Sequence, residues 1–344
     1  MNNSPQSCPL SVPPKAKLSG IWSGLLLTGA VAAIAFCLNR VPGLELVNPM
    51  ILAVFIGILI QSFFTLPAVF SKGITFSLQR LLKIAVVLLG LQLSFAQVFD
   101  VGLSGLLAIM LTLGSTFLFC VWFGKRLGLD PRLVRLIAAG TSICGASAIV
   151  ATNSVIKGKD EHVAYSITVV TLFGFLSMLL FPIVGRFLNL EPSIFGFWSG
   201  VSIHETAQVI GAAFQGGQES GEVGTVAKLS RVLFLIPVII ILGLSPVDRS
   251  EEKDASDKKR LPIPWFVIYF ITLVAINSIF TIEPAIKDQI KIGNKFLLTM
   301  ALAAMGLRMS FKQIRKTGLR PLCLGAVSWI YVSAAGLLFA KILV

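Results

Sequence analysis

Charge is what this sequence has least of. Aspartate, glutamate, lysine and arginine make up 13% of its 344 residues, where a soluble domain would carry roughly a quarter. So few charges cannot cover a folded surface in water. A hydrophobic content of 55% and a mean hydropathy of +0.87 point instead to a chain that crosses a membrane many times. Long polar stretches are missing too. The longest, 248–260, reads as a loop, and no soluble domain remains to be found. The five cysteines (8, 37, 120, 144 and 323) form no CxxC pair, so neither a disulfide nor a metal site is expected. With only His162 and His204, there is no HExxH, and there is no P-loop. GTSICG lacks the G-x-S-x-G spacing of a nucleophile elbow. An intramembrane hydrolase using Ser142 or Ser147 would rest on His204 alone. An enzyme is therefore not expected, and no cofactor is called for.

The net charge of +13 does not make a nucleic-acid surface, because the basic residues sit between apolar spans. Windows of about 20 apolar residues place spans near 19–38, 48–64, 80–97, 101–123, 132–154, 162–187, 193–213, 223–244, 262–281, 293–310 and 319–342. That is about eleven. Alternating the loops puts about fifteen basic residues on one face and about six on the other, which sets the N-terminus in the cytoplasm. Residues 1–18, rich in Pro and Ser, are expected to be a disordered cytoplasmic tail. The remainder, 19–344, reads as one transmembrane domain.

Two stretches match without a gap 216 positions apart. GLQLSFAQVFDVGLSGL (90–106) lies over GLRMSFKQIRKTGLRPL (306–322), and IQSFF (60–64) over INSIF (276–280). The shared Gly, Ser and Phe spacing relates segment 48–123 to 262–342. Seven spans separate them, and an odd number inverts orientation, as in inverted-topology transporters. A fainter echo lays GTSICGASAIV (140–150) over GVSIHETAQVI (200–210). With simple spans these two would point the same way. They are inverted only if one of them, or a neighbour, fails to cross.

These two stretches carry the chemistry. In 140–153 bulky side chains give way to Gly, Ala, Ser and Thr. The segment is either a tight helix-packing seam or a helix interrupted near the midplane, with Thr141, Ser142, Cys144, Gly145, Ser147 and Asn153 lining a cavity. A half-helix N-terminus there would offer free N–H groups and positive dipole to an anion. In 202–208, Ser202, His204, Glu205, Thr206 and Gln208 stand inside an apolar span, where polar groups invite a functional explanation. The alternatives are a polar network that glues helices, or a segment near the interface. His204 and Gln208 share a face if the helix is regular. His204 and Glu205 are the proton-coupling candidates. Lys228 and Arg231, if deep, need Glu205, Glu222 or an anionic substrate. If shallow, they snorkel to the headgroups. Arg308 aligns with Gln92 across the repeat, and Asn277, aligned with Gln61, reads as a helix–helix hydrogen-bonding residue.

TSICGASAI, SIHETAQV, LSRVLFLIP and ALAAMGLRMSF…GLRPL together resemble the YeiH-like family of bacterial inner-membrane proteins, often labelled sulfate exporters, over residues 20–344. More distantly, the span order is similar to one half of the bile-acid-sodium-symporter and cation/proton-antiporter fold. In that fold interrupted helices cross near the midplane in a core that moves against a panel. Its halves follow in simple order, which the 216-residue repeat here does not. The resemblance implies a secondary transporter with its site at the crossing, Ser142–Asn153 and Ser202–Gln208. The expectation is therefore an all-α inner-membrane protein of about eleven spans, with inverted repeats around core segments 132–187 and 193–244. It would move a small anion, sulfate or a related sulfur oxyanion, outward by alternating access with H⁺. A sodium-coupled organic-anion symporter, with Na⁺ held by Glu205 and backbone carbonyls, is the alternative. A non-transporting sensor is a third reading, and the sequence is compatible with a homodimer.

Overall fold

The computed structural model describes residues 19–42, 48–64, 66–93, 102–244, 265–280, 283–309 and 318–343. The expected N-terminal tail, the 248–260 loop and the centres of both 216-offset repeat motifs lie outside them. The described residues form helices α1 (Ser19–Leu38), α2 (Pro49–Phe63), α3 (Ala68–Gln92), α4 (Gly102–Arg126), α5 (Pro131–Ala139), α6 (Ala146–Ile156) and α7 (Asp160–Phe187). There follow α8 (Pro192–Ser202), α9 (Thr206–Ala213), α10 (Gln218–Leu233), α11 (Leu235–Leu244), α12 (Trp265–Ile279), α13 (Pro284–Arg308) and α14 (Leu319–Leu343). Among the described residues seven helices, α10 and α11 counting as one, are long and apolar enough to cross a membrane, and three shorter apolar ones accompany them. The chain is a polytopic helical membrane protein. The span expected at 80–97 begins earlier, because α3 starts at Ala68 right after Pro67.

Several starts are written locally. Asn48 and Asp130 accept hydrogen bonds from the main chain of Met50 and Arg132 as N-caps, each followed by a proline in the first turn. Glu191–Pro192 and Glu283–Pro284 repeat the pattern without the side-chain bond.

Two of the eleven expected spans are broken into short helices. Helix α6 has 11 residues, α8 11 and α9 8. At 1.5 Å per residue these reach about 12–17 Å, half of a roughly 30 Å hydrocarbon core. The chain then turns back. Ile149 packs against Gly140, and Gly158 returns beside Leu136 and Arg132. Arg132 Nη1 donates to the Lys157 carbonyl at 3.4 Å. Segment 131–156 is thus a hairpin, open at the end where α7 begins. Segment 192–213 is a second hairpin, since Phe195 packs against Gly216. Its open end lies against Gly185, at the finish of α7. Helix α7, 28 residues and about 42 Å long, separates the two open ends. The hairpins therefore enter from opposite ends of α7, and their tips meet beside its middle.

Packing elsewhere repeats itself. A methyl group on Gly90 would run into the Phe270 carbonyl, and one on Gly306 into the Val54 carbonyl. Gly90 and Gly306 are one repeat offset apart, as are Val54 and Phe270. Asn277 Nδ2 donates to the Leu93 carbonyl at 2.7 Å and so caps the end of α3, the hydrogen-bonding role expected of it.

Candidate functional site

The first tip is made by composition. After α5 the backbone widens into a π turn, Gly140–Cys144, and Gly145 takes φ 72°, ψ −133°, a left-handed conformation that a side chain would strain. The second tip runs extended through Ile203 and Glu205. Helix α9 then begins with a reciprocal capping box. The Gln208 main-chain N–H donates to the Glu205 side chain, and the Glu205 N–H donates to Gln208 Oε1 at 3.1 Å. The breaks fall at aligned positions, Gly145 over Glu205, so the faint echo marks two equivalent tips. His204 precedes the helix, so it does not share a helical face with Gln208, as a regular helix would have allowed.

Each tip joins the C-terminal end of one arm to the N-terminal end of the next. Four helix ends therefore meet, two negative and two positive, each worth about half a charge. Lys228 and Arg231, on α10, take the negative pair. Lys228 Nζ donates to the carbonyls of Ile143 (3.0 Å), Ile203 (2.8 Å) and His204 (2.6 Å). The Arg231 guanidinium donates to Thr141, Ser142, Val201 and Ile203. Both side chains are at most 1% exposed. The snorkelling alternative is thereby overturned. Their hydrogen-bond partners are main-chain carbonyls left without helical partners at the arm ends. Glu222, offered as an ion-pair partner, accepts from Gln218 at 2.7 Å.

Glu205 takes the positive pair. Its carboxylate accepts from the Gln208 N–H at the start of α9 and from Thr171 Oγ1 of α7 at 3.0 Å, and it lies against the first tip at Gly145, next to the Ala146 N–H at the start of α6. Gln208 Nε2 also donates to the Thr171 carbonyl at 3.1 Å, with its amide filling the space left by Gly174. Gly145 leaves the room through which Glu205 reaches the first tip: a Cβ there would stand 2.5 Å from Glu205 Cγ. Burial divides the crossing into two sides. The cation side is sealed. On the carboxylate side Ala146, Thr171, Glu205 and Thr206 are half-buried and Ser147 is exposed. Arg308, exposed at the end of α13, acts electrostatically on Glu205 from outside the hairpins.

Most of the expected site residues come together here, though not all in the expected use. Thr141, Ser142, Cys144, Gly145 and Ser147 form the first tip, and Ser202, His204, Glu205, Thr206 and Gln208 the second. The Ser142 hydroxyl is spent on the Ala138 carbonyl (2.6 Å) and that of Ser202 on the Val332 carbonyl of α14 (3.2 Å). Cys144 Sγ and Ser147 Oγ pair at 3.1 Å. Thr141 Oγ1 and His204 Nδ1 are buried without a hydrogen-bond partner. Asn153 lies apart, about 10 Å along α6, where its Oδ1 accepts from the Gly158 N–H at 2.8 Å and closes the hairpin. Sequence reasoning missed Thr171, an unremarkable threonine in an apolar helix. Its only signal is its position 34 residues before Glu205, legible once α7 is known to run beside the tip.

The architecture defines a class: a polytopic helical membrane protein with two hairpins whose tips meet beside one long helix. The family profile described as conserved hypothetical protein 698 matches residues 23–325, and the chain belongs to that family, the YeiH-like group. A UPF0324 membrane protein of Pseudomonas aeruginosa is 35% identical over 335 residues, covering 94% of each chain. One from Bordetella pertussis is 35% identical with 98% of each chain covered. One from Listeria monocytogenes is 30% identical over 93% of this chain and 95% of its own.

Proposed function

We propose that the protein is a secondary transporter for a small anion, sulfate or a related sulfur oxyanion, working by alternating access in the bacterial inner membrane. One observation carries this reading. Two hairpin tips entering from opposite ends of α7 meet at mid-helix, with both half-helix N-termini on the less buried side of the crossing. Such termini bind anions through main-chain N–H groups and dipole, and broken backbone at that depth is tolerated where it is buried or lines a cavity. Fixed charge favours the same sign. Lys228 and Arg231 contribute two positive charges to the crossing against one negative from Glu205, so an anion balances what remains. Glu205 is the proton-coupling candidate, and outward export remains the proposed direction.

The sodium-coupled alternative is weakened by the same geometry. Na⁺ held by tip carbonyls would have to displace Lys228 and Arg231, which already occupy six of them. The hairpins also support an inverted repeat. A hairpin that returns to its own side restores opposite orientations to 140–150 and 200–210, in step with the 216-residue repeat. The second half is then permuted, with its hairpin placed ahead of α12 to α14. In this arrangement Lys157 and Lys159 join the basic cytoplasmic face and Arg186 leaves it, which strengthens the assignment of the N-terminus to the cytoplasm.

The test is flux in liposomes. Purified protein should move labelled sulfate or sulfite saturably, and a pH gradient should drive it. Movement of an organic acid under a Na⁺ gradient, with no sulfur oxyanion moved, would replace this reading with the sodium-coupled one.

A further inference from the structure

We propose that the Glu205 carboxylate is a tethered competitor of the transported anion, holding the anion's own donors in the substrate-free state and surrendering them when substrate binds. The proposal rests on the anion-transport reading and names how that same site is regulated. Its basis is the donor set. The Gln208 N–H and the Thr171 hydroxyl donate to one carboxylate, which also lies against the first tip where the Ala146 N–H opens α6, so three separate segments converge on it. None of these three groups titrates, and none is specific for carboxylate. They form the cradle that a free oxyanion would use at paired helix N-termini.

The arrangement is built for one anion at a time. A second negative charge within about 4 Å of the first is strongly disfavoured away from bulk water. Entry of substrate therefore requires Glu205 to swing out or to take up a proton from water, its carboxylate becoming a neutral carboxylic acid. Release of substrate reverses this. The groups facing Glu205 set the balance: Lys228 from α10 and Arg308 from α13 act on it electrostatically, and Cys144 and buried His204, its Nδ1 without a hydrogen-bond partner, belong to the two tips. The fixed cations remain in place whichever anion occupies the cradle, so they need no rearrangement during exchange. Gly145 matters in the same way. It stands where the second tip has Glu205, and its missing side chain leaves the carboxylate a path across to Ala146. Exposure agrees, since Glu205, Ala146 and Thr206 are half-buried beside exposed Ser147, whereas the cation side is sealed.

If Glu205 is a surrogate anion, removing it should create a vacancy that small carboxylates refill. Purified Glu205→Ala protein should melt at a lower temperature than wild type. Formate or acetate should restore much of the loss, saturably, at concentrations about tenfold below any that shift the wild type. Glu205→Gln keeps an acceptor for the cap and guards against a fold too weak to read. It should bind sulfate more tightly than wild type, with an affinity that no longer varies with pH. Equal response of wild type and Glu205→Ala to formate, or an unchanged pH dependence in Glu205→Gln, would overturn the proposal. Flux separates it from the reading beneath it. Formate rescue without oxyanion flux in wild type would leave the cradle standing and remove the transport assignment. Wild-type flux without rescue would do the reverse.

Discussion

Gly145 and Glu205 occupy equivalent places in the two tips and do opposite things. One supplies space and a backbone angle, the other a charge. A methyl at position 145 would meet φ 72° and the Glu205 side chain together. Gly145→Ala should therefore cost about 1–3 kcal/mol, read as a lower melting temperature in detergent, and should lower transport more than stability alone explains. The buried cations make a sharper case. Lys228→Met keeps the bulk of the side chain but strands the Ile143 and His204 carbonyls and leaves that of Ile203 only Arg231. At about 1–3 kcal/mol for each unmet polar group, the variant should lose several kcal/mol. A melting temperature equal to wild type would show that Lys228 does not hold the tips together. These roles were only half legible in the residues. A lysine and an arginine three apart in an apolar stretch announce themselves as costly. That their partners are carbonyls of two other segments follows only from where those segments end.

The hairpin is the element that turns an apolar stretch into a site. Each arm is about half as long as a membrane is thick, and each hairpin brings its two ends back together. An ideal Cβ on Gly158 stands 3.7 Å from Arg132 Cβ, within the roughly 3.5–4.5 Å that a disulfide requires. In a background without the native cysteines, Arg132→Cys with Gly158→Cys should cross-link under mild oxidation. A simple spanning helix would hold these positions about 39 Å apart and give no product. Hydropathy could not reveal this, because it registers apolar length and is blind to a return. The clues were present in another form. Asp130–Pro131 and Glu191–Pro192 announce helix starts, ETAQ spells a reciprocal cap, and Gly145 and the small residues before it permit the turn. The echo between 140–150 and 200–210 posed a question of orientation, and its aligned positions Gly145 and Glu205 fall at the two breaks. What remained illegible was contact at long range: α7 beside both tips, and α10 beneath them.

At the scale of the whole molecule, the two hairpins with α7 and α10 form a body cross-linked through Lys228 and Arg231. It meets α2 where the Asn48 N–H donates to Gln215 Oε1 at 3.4 Å and Asn48 Nδ2 donates to the Phe214 carbonyl at 3.3 Å. If alternating access moves this body against α2 and α13, tying the two together should stop it. Asn48→Cys with Gln215→Cys, once oxidised, should lose flux and keep anion binding, and reduction should restore flux. Undiminished flux in the cross-linked protein would mean that the hairpins do not move relative to α2.

The most direct measurement on the central claim is an experimental structure of the protein with selenate, whose anomalous signal marks a sulfate-like anion. The account predicts density within hydrogen-bonding distance of the Ala146 and Gln208 main-chain N–H groups and the Thr171 hydroxyl, with the Glu205 carboxylate withdrawn from all three. Selenate bound elsewhere, with Glu205 still in its cradle, would contradict it.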